Sequence, residues 1–411
     1  MKRLEERLAK FGIMPGLERT QRICEALGRP QDCLETILVT GTNGKGSVTA
    51  ALSSILTEAG HRTGAYYSPH ISKYNERYKI DGKEITDEDF LPYEDMLLKL
   101  HDEGYEMTVF EALTAIAFRY FAERGCRYAV MEIGMGGQFD ATNIANECAS
   151  IITNAGLEHS EYLGKTVQEI ARDKAHIIKK PGSVAVTGCT GQALAEVSAR
   201  CQSVNARLKA LDSDFSVRLK EARTDSTVFD YSGKNEFGAL RISLAGRHQA
   251  KNAALAVAMA EELGVGEEMI RGGLAKTKHP GRLQIICREP LVVADGAHNP
   301  DGIRALVESM DIYPREKLVC VFSALKDKDY REMLSILAPI CDEIIVNQIK
   351  SERAAPADEI AAAAKEYTKT QVVPDIASSV RLAKRKAGKK GMVLICGSLY
   401  MLGEAMLSGR W

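Results

Sequence analysis

The sequence has no pair of cysteines at the Cys-x-x-Cys spacing, although ten cysteines are scattered along its 411 residues. That spacing is typical of structural zinc sites, whereas cysteines concentrated in a short secreted chain are typical of disulfide frameworks. The scattered pattern argues against both and is ordinary for a protein of a reducing compartment. We therefore expect a cytoplasmic protein.

Long apolar runs are absent as well. No run approaches the roughly 20 residues that a membrane-spanning helix needs. The N-terminal stretch MKRLEERLAKFGIMPGLERT is charged and has a helical spacing, which does not match a signal peptide. These features predict that the protein has no membrane partner.

An excess of charge of one sign is also missing, because the net charge is −1 and 27% of the residues are charged. The one marked basic cluster lies at 384–386, with Lys389 and Lys390. It flanks Gly388, where a helix is expected to end, and cations near a helix C-terminus interact favourably with the helix dipole. We therefore expect no nucleic-acid partner.

Apolar runs typical of buried strands alternate along the chain with amphipathic, helix-like segments. The strands predicted in the first half are 37–41, 128–134, 150–154 and 184–187. A helix is predicted over 48–59 and ends at Gly60. Strands that alternate with helices favour a parallel sheet covered by helices on both faces.

Between about residues 205 and 245 the pattern changes to short alternating strands, which predicts a small antiparallel β element. Helical spacing returns over 248–263, and Pro280-Gly281 marks the expected joint between two domains. Beyond it strands and helices alternate again. We predict an α/β protein with a P-loop-type central parallel-sheet domain over 1–285 and a smaller Rossmann-like α/β domain over 286–411.

The stretch ILVTGTNGKGSVTAAL (37–52) is similar to a phosphate-binding loop but departs from the usual pattern. Lys45 is followed by Gly46, the hydroxyl comes one place later at Ser47, and Val39 stands where a glycine is usual. The loop nevertheless follows a strand and opens a helix, so backbone N–H groups can converge on an anion and Lys45 can reach the phosphates. The alternative is a tight turn with a solvated lysine, which the density of glycines disfavours.

Because the hydroxyl is displaced, a magnesium ion bound with the nucleotide needs other ligands. Glu132 ends a predicted buried strand, where a carboxylate costs several kcal/mol unless it is paired or bound to a metal. Ser68 and His159 lie in loops that follow strands, and such polar groups converge at the carboxyl edge of a parallel sheet. A single loop histidine is more often merely solvated, so His159 taken alone leaves the question open.

Eleven segments stand out in order over nearly the whole chain. They are PGLER (15–19), GTNGKGS (41–47), SPHI…NER (68–77), FEALTAIAF (110–118), EIGMGGQFDATN (132–143), ITNAGLEHSEYLG (152–164), IARDKAHIIK (170–179), RHQAKNAALA (247–256), HPGR (279–282), DGAHNPDG (295–302) and GSLYMLGE (397–404). Together they resemble the Mur ligase superfamily and, within it, the family of bacterial folylpolyglutamate synthases with its bifunctional dihydrofolate synthase forms. The variant phosphate loop is that superfamily's own version.

The resemblance implies an ATP site. The positions that wrap the phosphates in the family match Thr42, Asn43, Gly44, Lys45, Gly46 and Ser47. The positions that complete the site match Asn252, Arg282, Asp295 and His298. The family's ATP site therefore predicts contributions from both halves of this chain.

The resemblance also implies two Mg²⁺ sites. Ser68 and Glu132 match positions that hold one Mg²⁺, and His159 matches a position that holds a second. Lys174 matches a lysine that carries a carbamate and is counted with the metal ligands. We take Lys45, Glu132, His159 and Lys174 as the catalytic candidates.

The pterin-side pocket of the family corresponds to two places in this sequence. One is the segment around Phe110 and Glu111, and the other is the pair Phe139-Asp140. We expect these four residues to bind the substrate.

The carbamate on Lys174 is chemically reasonable. A free ammonium beside two Mg²⁺ ions would be repelled, whereas carbamylation by CO₂ turns +1 into −1 and supplies an oxygen ligand, which hard cations prefer. An ordinary surface lysine remains the usual expectation for any lysine, and only the matched context favours the carbamate. The family's Asp-His pattern appears here as Glu158-His159, a departure that removes no proposed ligand.

The predicted function is an ATP-dependent ligase that adds L-glutamate to the γ-carboxylate of a reduced folate through an acyl phosphate. No side-chain nucleophile is needed, because catalysis consists of positioning two anions and neutralising their charge. The expected partners are small molecules, namely ATP, L-glutamate and reduced folate or dihydropteroate, and the expected state is a monomer. We expect the site between the two domains, with closure of the smaller one gating the reaction.

Three alternatives stay open at this point. The same chemistry on dihydropteroate, alone or as a second activity, is hardly separable from the sequence. A muramyl-type peptide ligase is disfavoured by SPHI…NER and DGAHNPDG. A nucleotide-driven switch protein would release phosphate without folate or glutamate, whereas the ligase needs both.

Overall fold

A computed structural model of the chain describes residues 2–12 and 14–407. These residues form two compact units. The first contains the described residues up to Arg218, together with Phe229–Ile242 and Lys251–Thr277. The second contains Leu219–Val228, Ser243–Ala250 and the described residues from Lys278 onwards. The predicted domain boundary between residues 285 and 286 stays a prediction.

The first unit is built on an eight-stranded sheet. Its strands are β1 (Glu35–Thr40), β2 (Thr63–Tyr66), β3 (Tyr78–Ile80), β4 (Lys83–Glu84), β5 (Tyr128–Glu132), β6 (Glu147–Ile152), β7 (Val184–Thr187) and β8 (Arg207–Ala210). They lie in the order β4-β3-β2-β5-β1-β6-β7-β8. The strands from β2 to β8 in this order are parallel, whereas β3 and β4 are antiparallel additions at one edge. The predicted parallel sheet is confirmed.

Helices connect these strands. They are α1 (Lys2–Leu8), α2 (Glu18–Ala26), α3 (Lys45–Glu58), α4 (Asp87–Asp102), α5 (Val109–Glu123), α6 (Ser160–Leu163), α7 (Val167–Ala175) and α8 (Gly191–Val204). Two helix starts show why the chain turns helical there. Thr108 and Thr166 each cap a helix and accept a hydrogen bond from the glutamate N–H three residues later, while that glutamate bonds back to the cap.

The predicted antiparallel element is a separate three-stranded sheet in the order β11-β10-β9. Its strands are β9 (Ser216–Ala222), β10 (Thr227–Ser232) and β11 (Glu236–Ile242), and the helices α9 (Gln249–Glu262) and α10 (Glu267–Lys276) follow. The element begins later than predicted, because residues 207–210 form β8, which pairs parallel with β7 in the main sheet. A short strand without a clear two-residue alternation does not reveal which sheet it joins.

The second unit carries a six-stranded sheet in the order β12-β13-β17-β14-β15-β16. The strands are β12 (Gln284–Arg288), β13 (Leu291–Ala294), β14 (Leu318–Phe322), β15 (Glu343–Val346), β16 (Lys369–Val372) and β17 (Met392–Cys396). The helices are α11 (Pro300–Glu308), α12 (Tyr330–Leu337), α13 (Ala357–Ala364), α14 (Ile376–Ala387) and α15 (Leu399–Leu407). Only β12 runs antiparallel to its neighbour. The predicted second α/β domain is confirmed in its architecture.

The predicted helix end near Gly388 is also confirmed. α14 ends at Ala387, three basic residues lie in its last turn, and Gly388 follows as the cap with a φ of 69°. The basic cluster therefore has a structural explanation. No helix among the described residues is long and apolar enough to cross a membrane.

All ten cysteines are free thiols, and Cys33 is the one that is exposed. Cys33 ends a 3-10 helix (Pro30–Cys33) that leads into β1. It therefore lies at the amino edge of the main sheet, one strand length away from the loop that follows β1.

Candidate active site

The glycine-rich loop joins β1 to α3, as the sequence predicts. Gly44 caps α3 with a φ of 86°, a left-handed conformation that favours glycine, and the helix begins at Lys45. The first N–H groups of a helix have no intrahelical acceptor, and they carry the positive end of the helix dipole. The N-terminus of α3 therefore offers the donors that a phosphate group needs.

The loop is held in shape by the residues that follow β6. The Asn154 side-chain oxygen accepts hydrogen bonds from the N–H groups of Thr42 at 3.1 Å and Asn43 at 3.0 Å. A Cβ on Gly41 would lie 1.9 Å from the Thr153 hydroxyl oxygen, so only glycine fits there. Sequence reasoning missed Asn154, although it lies inside one of the eleven segments, because its partners are more than a hundred residues away.

Lys45 lies across its own loop. Its ammonium donates to the carbonyl oxygens of Gly41 at 2.6 Å and Thr42 at 3.2 Å. These acceptors are neutral, and the charge of Lys45 acts both on the Glu158 carboxylate and on an anion that approaches the loop.

Asn252, predicted from the resemblance, is brought to the same loop by α9. A Cβ on Gly44 would lie 2.4 Å from the Asn252 side-chain oxygen, so the amide packs directly on the bend of the loop. The structure therefore brings Asn252 together with the predicted phosphate-binding residues.

Two further predicted residues meet beside the loop. Glu132 is the last residue of β5, pairs in register with Val39 of β1, and is 5% exposed. One of its carboxylate oxygens accepts a hydrogen bond from the N–H of Ser68 at 3.2 Å. Because β2, β5 and β1 are neighbours, Ser68, Glu132 and the loop lie side by side at the carboxyl edge of the sheet.

Lys174 and His159 belong to a charged cluster on the other side of the loop. Lys174 is fully buried in α7, and its ammonium lies 2.7 Å from the Glu158 carboxylate. His159 follows Glu158 with a left-handed φ of 46°, a strained conformation for a residue with a side chain. Glu158 is thus the partner of Lys174 that sequence reasoning did not assign.

The pKa shifts describe how the charges of this cluster interact. Burial raises the pKa of the Glu158 carboxyl, but the nearby charges of Lys45 and Lys174 outweigh burial and hold the pKa at about 2. Burial lowers the pKa of the Lys174 ammonium, while Glu158 raises it. Glu158 is therefore ionised at neutral pH and lies within the electrostatic reach of both lysines.

The donor set fits a hard divalent cation that is bound together with a nucleotide. Glu132 offers a carboxylate oxygen and Ser68 a hydroxyl oxygen, and magnesium and manganese prefer oxygen ligands. His159 lies on the other side of the loop, and its role as a ligand stays a prediction. No group of three His, Cys, Asp or Glu side chains is placed to hold a metal within the part of the chain that the structure describes.

Phe110 forms an apolar wall near Glu132. Its ring centroid lies 6.4 Å from that of Tyr66, and a Cβ on Gly134 would lie 2.6 Å from the edge of the Phe110 ring. Phe139 is 53% exposed, which is high for a phenylalanine. Both positions are compatible with contact to a flat apolar ligand, and their role stays a prediction.

The two predicted acidic substrate ligands are engaged in local structure. Glu111 forms a salt bridge with Arg19 at 2.9 Å and closes the cap of α5 with Thr108. Asp140 is buried and accepts hydrogen bonds from the N–H groups of Gly134 and Met135, each at 3.0 Å. These bonds explain how both carboxylates shape the Phe110 wall, and direct binding of substrate by either stays a prediction.

Gly134→Ala tests whether the Phe110 wall serves the folate substrate. The added methyl group would collide with Phe110, and overpacking of this kind costs about 1–3 kcal/mol. If the wall serves this substrate, we expect the KM of the folate substrate predicted from the resemblance to rise about tenfold with an unchanged KM for the predicted nucleotide, ATP. Steady-state kinetics checks this, with Gly238→Ala as the control, because a Cβ at Gly238 meets nothing closer than 3.9 Å. Equal effects on both substrates would contradict the assignment.

The remaining three predicted residues lie together in the second unit. The Asp295 carboxylate accepts from the N–H groups of Leu283 and Ala297, both at 2.8 Å. His298 Nδ1 lies 2.7 Å from the carbonyl oxygen of Gly296, and a Cβ on Gly296 would lie 3.4 Å from the Arg282 guanidinium. Arg282, Asp295 and His298 therefore surround one glycine, although they are spread over the sequence.

Comparison with known proteins identifies the family. The protein-family model described as Mur ligase middle domain matches residues 39–260, which is more than half of the chain. A second family model, described as Mur ligase, glutamate ligase domain, matches residues 281–399. This chain belongs to the Mur ligase family. The first match includes the phosphate loop and Glu132, and the second includes Asp295 and His298.

The similar Mur ligases are folate enzymes. Dihydrofolate synthase/folylpolyglutamate synthase of Bacillus subtilis (strain 168) is 34% identical over 410 residues, which cover 96% of this chain and 95% of that protein. The structure of Mycobacterium tuberculosis folylpolyglutamate synthase complexed with ADP superimposes with a TM-score of 0.92 at 31% identity, covering 98% of this chain and 96% of the other. Within the Mur ligases, this chain belongs to the folylpolyglutamate synthase/dihydrofolate synthase family.

A third relative carries ligands that bear on the site. A bifunctional folylpolyglutamate synthase/dihydrofolate synthase solved with Mn, AMPPNP and L-glutamate bound has a TM-score of 0.88 and 28% identity, covering 98% of this chain and 97% of that one. That relative therefore binds a nucleotide analogue, a divalent metal and L-glutamate.

Proposed function

We propose that this Mur ligase is an ATP-dependent ligase that joins L-glutamate to the γ-carboxylate of a reduced folate through an acyl phosphate. The observation that carries the proposal is the row formed by Ser68, Glu132 and the loop that ends at Lys45, on three neighbouring strand ends. A phosphate-binding helix start beside a buried carboxylate is an arrangement for phosphoryl transfer. The names of the relatives supply the substrate class.

Each residue of the row has a distinct task in the proposed reaction. The N–H groups at the start of α3 and the Lys45 ammonium bind the phosphates and neutralise charge that develops during transfer. Glu132 and Ser68 hold the Mg²⁺ that accompanies ATP, which screens the phosphate charge. The substrate carboxylate attacks the γ-phosphate, ADP leaves, and the amine of glutamate then displaces phosphate from the acyl carbon.

Lys174 is proposed to carry a carbamate. Burial lowers the pKa of the Lys174 amine and so raises the fraction in the neutral form, which reacts with CO₂, whereas the Glu158 carboxylate opposes this shift. The carbamate would be an anion next to Glu158, so it requires positive charge nearby, and Lys45 is close enough to lower the pKa of Glu158. A divalent cation, when bound, would supply further positive charge there.

The second candidate activity is dihydrofolate synthesis, in which glutamate is added to dihydropteroate. It is favoured by the double name of the B. subtilis relative, which covers both activities. Both substrates present a carboxylate to the same phosphoryl group, so one site can serve both.

Measurement of ADP release separates these activities. The purified protein is assayed with Mg-ATP and glutamate plus either dihydropteroate or tetrahydrofolate, and each substrate is also omitted in turn. A ligase releases ADP only when the acceptor and glutamate are both present. ADP release without them would support a nucleotide-driven switch and overturn the proposal.

Glu132→Gln tests the proposed metal ligand. A neutral amide oxygen binds a hard cation much less well than a carboxylate does, and loss of even a supporting partner of a metal ligand costs about 10–100-fold in affinity. We expect the Mg²⁺ concentration for half-maximal activity to rise at least about tenfold and the maximal rate to fall.

The matched control is Glu261→Gln. Glu261 lies on α9 and is also buried, but its carboxylate accepts hydrogen bonds from Tyr231 and Asn235. A Mg²⁺ titration of each variant is the measurement. If Glu132→Gln gives the curve of the unaltered enzyme, Glu132 is not a metal ligand.

A further inference from the structure

Arg77 is a buried arginine whose charge the protein does not neutralise. It is 8% exposed, and its guanidinium donates to His70 Nδ1 at 2.9 Å and to the Ser68 hydroxyl oxygen at 3.4 Å. An arginine can only donate, so His70 Nδ1 accepts and carries no proton. The guanidinium also lies over the Tyr74 ring, 5.7 Å from its centroid, so its contacts are two neutral acceptors and a neutral aromatic ring.

No carboxylate is in direct contact with this charge. Within residues 2–12 and 14–407, Arg77 forms no ion pair with an aspartate or a glutamate, and the nearby Glu132 carboxylate instead accepts from the N–H of Ser68, whose hydroxyl accepts from Arg77. The adjacent Glu76 is directed elsewhere, because it accepts from the backbone N–H groups of Ile71 at 2.8 Å and of Ser72 and Lys73 at 2.9 Å. A buried charge without a counter-ion is costly, which indicates that an anion is bound there when the enzyme works.

A second polar group beside Arg77 also lacks a partner. The hydroxyl oxygen of Tyr66 is buried beside Thr114 and Arg77, but neither side chain makes a hydrogen bond of good geometry with it in the described part of the chain. Arg77 is close enough to lower the pKa of this hydroxyl, although burial raises the pKa more. A ligand oxygen that approaches the guanidinium would satisfy both groups.

The sheet register places Arg77 relative to the row formed by Ser68, Glu132 and the phosphate loop. Tyr66 pairs with Tyr78 on β3 and with Met131 on β5, so the next positions, Arg77, Tyr67 and Glu132, lie side by side. With neighbouring strands about 4.8 Å apart, the backbones of Arg77 and Glu132 are about 10 Å apart. The phosphate loop follows β1, on the opposite side of Glu132.

The order of Arg77, Glu132 and the phosphate loop across the sheet indicates which anion Arg77 binds. The nucleotide phosphates occupy one side of Glu132, and Arg77 lies on the other side, where an acceptor must approach for in-line transfer. A guanidinium matches a carboxylate through two parallel hydrogen bonds. We propose that Arg77 binds the carboxylate of the folate substrate that is phosphorylated, and then the acyl phosphate formed from it; this rests on the proposed function.

Arg77→Gln is the first test. The glutamine is neutral and of similar length, and hydrogen bonds to a charged group are worth a factor of about 10–100 each. We expect kcat/KM for the folate substrate to fall about 100-fold and the KM for ATP to stay within about twofold. Arg77→Lys should lie between this variant and the unaltered enzyme, because lysine keeps the charge but lacks the planar guanidinium that donates two parallel hydrogen bonds.

Arg200→Gln is the matched control. Arg200 is partly buried and donates to the carbonyl oxygen of Ile178, at a distance from the row formed by Ser68, Glu132 and the phosphate loop. Its variant should keep the kinetics of the unaltered enzyme. An equal rise of both KM values in Arg77→Gln, or no change in either, would overturn the proposal.

A substrate analogue keeps the proposal testable even if the variant is less stable. The acceptor that the unaltered enzyme uses is compared with its carboxamide, and binding of each is measured to the unaltered enzyme and to Arg77→Lys. We expect the carboxamide to bind at least about tenfold more weakly to the unaltered enzyme, with a smaller difference in the variant. Equal binding of acid and amide by the unaltered enzyme would refute the role of Arg77. Failure of the unaltered enzyme to use any folate acceptor would instead refute the proposed function.

Discussion

Lys45→Ala is expected to abolish measurable ligation while the protein remains folded. Loss of one preorganised donor at a site of developing charge typically costs about 10²–10³-fold in kcat, and Lys45 supplies a full charge in addition. Its hydrogen bonds in the structure go to two loop carbonyls and not to the core. Steady-state ADP release measures the activity, and a thermal unfolding curve measures the fold.

Lys209→Ala is the control for Lys45. Lys209 lies on β8 and is 37% exposed beside Glu262. Its removal should leave ligation unchanged. Near-normal turnover by Lys45→Ala would refute the assignment of the loop as the nucleotide site.

Lys174→Ala is expected to lose both stability and nearly all activity. If Lys174 is an ammonium, the substitution breaks its buried pair with Glu158 and leaves that carboxylate with the more distant charge of Lys45. Breaking a buried pair from one side costs about 3–5 kcal/mol of the free energy of unfolding. The double variant with Glu158→Gln should regain most of this stability, because it no longer buries an uncompensated charge. It should remain inactive if Lys174 carries a carbamate.

Two further measurements separate a carbamate from a simple ion pair. Acetate should partly restore activity to Lys174→Ala if it replaces the carbamate oxygens. A high-resolution structure grown in bicarbonate should show three extra atoms on the Lys174 nitrogen. A bare ammonium with both metals bound, together with an active double variant, would leave Lys174 with a structural role only.

Much of the fold follows from local patterns in the sequence. The strand predicted at 184–187 has these bounds in the structure, and the strand, loop and helix around Lys45 lie where predicted. Helix α3 begins three residues before the predicted start, because the glycine at position 44 caps it directly. Periodicity and caps act over a few residues, so a single sequence contains them.

The parts of the site that escaped prediction depend on distant contacts. Asn154 accepts a hydrogen bond from the phosphate loop at Thr42, 112 residues earlier in the sequence. Glu158 accepts a hydrogen bond from Lys174, 16 residues later. Arg19 reaches Glu111 over 92 residues. None of these pairs has a spacing pattern in the sequence, and each forms only when the strands and helices that carry its members are packed together.

The position of Cys33 has a practical consequence. It is the single exposed thiol and lies at the edge of the main sheet opposite the phosphate loop, with the length of β1 between them. A maleimide dye or a solid support attached to Cys33 would therefore be held about 20 Å from the bound phosphates, given about 3.3 Å of rise per strand residue. Cys148 and Cys287 are partly exposed, so single-molecule experiments would replace these two cysteines before the enzyme is tethered at Cys33.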